Sequence, residues 1–263
     1  MRKYITVFRK TLALQFTYNS NVFFSILSSL IFVLLQYSLW QQIIEHGSSD
    51  SQLTIGMMST YIILGMIIRN LTTADISDFL AEEINKGSID LYLVKPYSLF
   101  FFSFARHLAV ITGLFITRGL IIVLVCLPFI GSQLNIDLSF SFYFLLSVGN
   151  AIIMSFCLDY IIGLMAFVFV KIWPIKYLVR DIGNIFSGFY VPLWFFPQWL
   201  ITISNFTPFK YMYFFPLNII IGNYSKQEVV QELGISAAWS VLLLLIITVV
   251  WRISRKNIIS QGG

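Results

Sequence analysis

The sequence predicts an all-α integral membrane protein, a single transmembrane domain over residues 1–263 with six spans. Three observations lead there. Of 263 residues, 58% are hydrophobic and only 11% are charged, against about 25% charged in a soluble domain. The mean hydropathy is +0.83. The apolar runs are long and do not alternate, which selects helices over a barrel. The formal charge of +5 is no nucleic-acid signal, because the basic residues cluster at the ends of apolar runs, where they set orientation.

Residues 2–19 read as an interfacial helix. Ile5, Phe8, Leu12 and Phe16 form an apolar stripe among Arg2, Lys3, Arg9 and Lys10, a pattern suited to an anionic leaflet; the alternative is an extension of the first span. No short apolar region with a cleavage site follows, so a cleaved signal peptide is not expected. Spans are expected at about Val22–Ile44, Leu53–Leu71, Phe100–Phe129, Leu138–Val170, from Ile182 onward, and Ser236–Trp251. The third is longer than a bilayer needs, so its inner end is expected to project. The loops EHGSSDSQ and GSQLNID carry no Lys or Arg, whereas the N-terminus, residues 75–96, the KIWPIKYLVRD turn and the tail all do. Both termini are therefore expected in the cytoplasm.

The passage Asp75–Pro96, DISDFLAEEINKGSIDLYLVKP, is the main charged stretch between two apolar segments. Ile76, Phe79, Leu80 and Ile84 share one helical stripe, with Asp78, Glu82 and Glu83 elsewhere. Gly87 stands where a C′ residue closes the helix, Ser88 can cap a second helix, Asp90 lies in its first turn, and Pro96 ends it. An ordinary solvated loop is the competing reading. Between Ser187 and Gly222 four of the seven prolines fall, at Pro192, Pro197, Pro208 and Pro216. No continuous helix fits that spacing. The reading is a span broken near Pro192, with short helices over 192–222 that dip into the outer leaflet and return. Trp194, Trp199, Tyr211 and Tyr213 suit an interface.

Arg118 and Asp159 fall inside spans, and intramembrane charges are candidates for function. Arg118 is expected nearer the outer face and Asp159 nearer the inner, an offset of about 10 Å at 1.5 Å per residue, which disfavours a direct pair. They are carried as candidates for a polar pathway or a dimer seam. His107 reads as a membrane-surface residue. Cys126 and Cys157 sit at different depths, so no disulfide is expected, and no metal-ligand spacing, GxSxG, HExxH or GxxxxGK[ST] occurs.

Taken in order, these features resemble the membrane permease subunit of a type-2 ABC exporter, in its small bacterial form encoded beside a separate ATPase. The match rests on EEINKGSIDLYLVKPYS, with Glu83, Gly87, Asp90, Leu91, Leu93 and Pro96, and on SGFYVPLWFFP, TPF and FPLNIIIG, with Gly188, Pro192, Pro197, Pro208, Pro216 and Gly222. The resemblance implies a coupling helix at Glu82–Leu93 that docks on a cytosolic ABC ATPase, a second permease as partner, and outer re-entrant helices that gate the exit. It also implies that ATP and Mg are held by the ATPase and no cofactor by this chain. The aromatic-rich outer region and the apolar spans suit a hydrophobic or amphipathic cargo: a peptide, a lipid-like compound or a drug. An ion-gradient-driven secondary transporter is the alternative; it needs a charged midplane site, for which Arg118 and Asp159 are the only candidates.

Overall fold

In the computed structural model the residues described are 2–16, 19–46, 54–73, 75–94, 97–126, 138–222 and 224–258, with side chains for all but 19–21, 93, 126, 138 and 255–258. Pro96, the Leu93 side chain, the loops at 47–53 and 131–137, and the tail past 258 therefore lie outside the described residues.

The chain is helical throughout its described part: α1 (Arg2–Gln15), α2 (Asn19–His46), α3 (Ile55–Thr72), α4 (Ile76–Asn85), α5 (Ile89–Val94), α6 (Leu99–Leu114), α7 (Leu120–Cys126), α8 (Leu138–Leu164), α9 (Trp173–Phe186), α10 (Gln198–Asn205), α11 (Phe214–Ile221) and α12 (Lys226–Ile258). A π-helical turn, Phe115–Gly119, joins α6 to α7. Five stretches are long and apolar enough to cross a membrane: Val22–His46, Ile55–Asn85, Leu99–Val125, Ser139–Phe167 and Lys226–Ser254. They overlap five of the six expected spans, the second running on to Asn85 beyond the expected Leu71 and the last opening at Lys226 ahead of the expected Ser236. No such helix opens near Ile182. There α9 stops at Phe186, because Gly188 takes φ +78 and Pro192 follows.

Each proline of this broken region sits where a missing N–H is harmless. Pro192 and Pro208 precede short 3₁₀ turns, Pro197 occupies the N-cap of α10, and Pro216 lies in the first turn of α11. Gly222, at φ +87, closes α11 in the left-handed conformation that favours glycine. The region is tied to α3 at two points. Tyr61 donates its hydroxyl to the Gly188 carbonyl at 2.7 Å, and the Thr72 and Tyr213 hydroxyls are 2.8 Å apart. The interface positions expected for Tyr211 and Tyr213 are corrected: both are buried in the fold, and of the four aromatics Trp199 is the one left exposed. Lys210 is also buried, on Asn205 at 2.9 Å and Glu232 of α12 at 3.0 Å.

α8 and α12 run side by side in the same direction. The Lys226 ammonium lies over the Phe140 ring, Asn150 bonds Ser236 and Ser240, and Phe167 meets Trp251. Residues 168–225 therefore carry the chain back along the length of α8.

α1 is a separate helix, not an extension of α2. It lies along α6 in the same direction, with Tyr4 stacked near Phe101 and accepting from the Ser98 N–H, and Leu12 and Gln15 against Gly113. The expected stripe is divided: Phe8 and Leu12 are half-buried, whereas Ile5 and Phe16 stay exposed.

Candidate functional site: the anchored helix α4

The stripe read in the sequence is buried: Ile76 and Leu80 are 1% and 0% exposed, and Phe79 and Ile84 are buried too. Burial of this kind is worth about 1.5–3 kcal/mol per large apolar side chain. The surface that receives the stripe is α8. There Gly163 lets α4 approach so closely that an added Cβ would stand 2.7 Å from Leu80 Cδ1 and 3.0 Å from Ser77 Cα. Arg106 of α6 lays its guanidinium over the Phe79 ring at 4.3 Å.

The first turn of α4 is held by two other helices. A helix leaves its first backbone N–H groups without partners, and its N-terminus favours a negative charge. The residue in the N-cap position, Asp75, makes no capping bond. Instead Asp159 of α8 accepts from the Ile76 N–H at 2.7 Å and the Ser77 N–H at 2.9 Å. Asp75 is turned to Lys176 of α9, whose ammonium bonds Asp75 Oδ1 at 2.8 Å and Asp78 Oδ2 at 2.6 Å. Burial would lower the Lys176 pKa, but its hydrogen bonds to Asp75 and Asp78, with the charges around it, outweigh that and raise it. A half-open cleft of about 120 Å³ lies between these groups and Arg69, Thr72 and Tyr213.

The far end of α4 points away from this base. Gly87 takes φ +69, the conformation a helix-closing glycine supplies, with nothing within 4 Å of where a Cβ would stand. The Ser88 hydroxyl donates back to Glu83, to the carboxylate at 2.6 Å and the carbonyl at 3.2 Å. Glu82 pairs with Lys86 on the exposed face. Asp90 is exposed, as are Leu91 at 61% and Val94 at 87%. The buried base and the exposed tip thus belong to one short helical unit.

Arg118, in the π-helical turn, lines a second groove. It shares a groove with Arg69, Asn70 and Thr73 at the Thr72 end of α3, and Arg69 and Thr73 also line the cleft beside Asp159. His107 meets Phe156, next to the cleft residue Ser155. About three turns after His107, Arg118 lines the same groove as Arg69. Asp159 is engaged with α4 and does not pair with Arg118. His107, expected at the membrane surface, is fully buried and neither ring nitrogen has a hydrogen-bond partner. The residues that sequence reasoning missed are Asp75, Lys176 and Gly163. The signal for Gly163 was present: it lies one helical turn after Asp159, so acid and glycine share a face.

A multi-pass helical membrane protein that carries a polar-anchored helical unit on one face is the class these features define. The sequence model described as ABC-2 family transporter protein matches residues 23–262, and the chain belongs to that family. It is accordingly an ABC transporter permease, of a family whose membrane subunits work with an ABC ATPase. Comparison with curated proteins gave no match.

Proposed function

We propose that this chain is half of an ATP-driven export pathway. Two permeases pair with two copies of a cytosolic ATPase, which holds the ATP and Mg, and an amphipathic or hydrophobic molecule leaves through the pair. The α4–α5 unit faces the cytoplasm, as do both termini, and the broken segment between α8 and α12 supplies the sixth crossing. Its short helices, with Gly188, Pro192, Pro197, Pro208 and Pro216 as joints, form the outer gate.

The observation that carries this reading is the division of labour in α4. Its tip, from Glu82 to Val94, offers exposed carboxylates beside exposed Leu91 and Val94. Its base is locked to α8 by Asp159 and to α9 by Lys176. A partner that moves the tip moves both helices, and α9 leads straight into the broken segment. This is a rigid-body route between two packings of the bundle.

The test is ATP-driven transport by the complete complex in membrane vesicles. Leu91→Asp touches only the exposed tip, Glu83→Lys removes the Ser88 brace, and Gly87→Pro forbids the positive φ. Each is expected to lower coupled transport by about tenfold or more, a loss of about 1.4 kcal/mol or more, with the permease still folded in the membrane. Undiminished ATP-driven export in all three would sink the assignment of the tip.

A further inference from the structure

α2, α3 and the π-helical turn enclose a half-open groove of about 380 Å³, with Arg69, Arg118 and Asn70 on its polar side, and Phe32, Met66 and Leu114 on its apolar side. That volume exceeds by an order of magnitude the roughly 30 Å³ of one water. Two guanidiniums line it and no Asp or Glu does. Arg118 Nε is buried without a hydrogen-bond partner, and Arg69 lies over the Phe189 ring at 4.6 Å. The acids of the neighbouring cleft are already engaged: Asp75 with Lys176, Asp159 with the α4 backbone. The other polar groups here are turned inward. Asn70 donates to the Met66 carbonyl, Ser28 to that of Phe24 and Ser29 to that of Ser25. Arg118 Nε is thus an unpartnered buried donor here, and the planar fork of an arginine matches a phosphate or carboxylate. Arg118 projects from a π-helical turn, an irregularity common at functional sites. Charged side chains within spans face polar pathways.

We infer that this groove binds the acidic headgroup of an amphiphile, phosphate or carboxylate, with its apolar chain against Phe32, Met66 and Leu114. As a statement about cargo this rests on the transport reading above; as a binding site it does not. The headgroup can come from an anionic phospholipid of the bilayer or from an exported single-chain acid.

The test places the full chain in phosphatidylcholine nanodiscs and photolabels it with a diazirine-bearing alkyl phosphate. Labelled peptides are expected in α2 and α3. Dodecyl phosphate should compete and dodecyl maltoside should not. Arg69→Gln with Arg118→Gln should lower labelling at least tenfold, whereas Arg118→Lys, which keeps the charge, should retain most of it. Each single variant is read beside its own melting curve, so a misfolded double variant does not decide the matter. Competition by added phosphatidylglycerol assigns the site to membrane lipid, and its absence assigns it to a single-chain cargo. Equal labelling with and without the arginines overturns the inference. So does equal competition by the neutral detergent, or an unlabelled groove in a chain cross-linked to a second copy there. No ATPase enters this experiment. Binding without coupled transport would leave the site standing and remove the export reading, and the converse result would do the reverse.

Discussion

At the residue scale, Asp159 and Lys176 carry the anchoring of α4. A half-buried carboxylate that accepts two backbone N–H bonds is worth keeping only where both are made. Asp159→Ala leaves the Ile76 and Ser77 donors buried without a partner, at a cost of about 1–3 kcal/mol. The expected result is faster hydrogen exchange over residues 76–85, with α12 unaffected; unchanged exchange would refute the capping role. Lys176 makes a pH prediction. Its folded pKa is raised, so the contribution is fully present below the ordinary lysine value of about 10.4. It is lost as pH rises from there through the higher folded value. Protection of α4 should therefore be level through neutral pH and fall above about pH 10.4, and in Lys176→Met that alkaline step should vanish.

At the element scale, the fit of α4 on α8 depends on one missing side chain. A methyl at Gly163 would stand 2.7 and 2.9 Å from Leu80 side-chain carbons and 3.0 Å from the Ser77 Cα, and overpacking of this kind typically costs 1–3 kcal/mol. Gly149, on the same helix, has nothing within 4 Å. Gly149→Ala should therefore be neutral or mildly stabilising through helix propensity, while Gly163→Ala lowers the melting temperature in detergent and loosens α4. Equal melting temperatures would mean that α8 and α4 can part without loss. The broken region has a comparable clamp. Lys210 and Glu232 tie the return turn to α12, and removal of one partner of a buried pair is far costlier than removal of both.

At the scale of the whole molecule, the fold divides into a part that moves with α4 and a part that faces the bilayer. α8 and α9 are linked to α4 through Asp159 and Lys176, while α2 presents Phe23, Phe24, Leu27, Leu34 and Leu35 outward, as a helix against lipid or a second subunit does. Energy for transport then has to come from outside the chain. Purified alone, the permease is expected to release no phosphate from ATP. Joined to its ATPase it should sustain hydrolysis that falls when Leu91 is replaced by Asp. Phosphate release assays on both preparations check this, and hydrolysis by the chain alone would contradict the division of roles.

The sequence by itself determined the membrane class, five of the spans to within a few residues at most described ends, the stripe on α4 and the glycine that closes it, and the broken character of residues 188–222. Each of these is a local property: apolar length, helical period, or the backbone limits of glycine and proline. Only the tertiary structure decided what Asp159 and Arg118 face. A span's tilt and rotation are set by its neighbours and not by its own composition, so the sequence does not say that Arg118 shares a groove with Arg69. Likewise nothing near Asp75 in sequence announces that its capping role passes to Asp159, 84 positions on. That exchange exists because Gly163 lets α8 approach α4, and because Lys176 draws Asp75 away. Long-range pairing of charges is a product of packing, and packing is what a single helix's period cannot report.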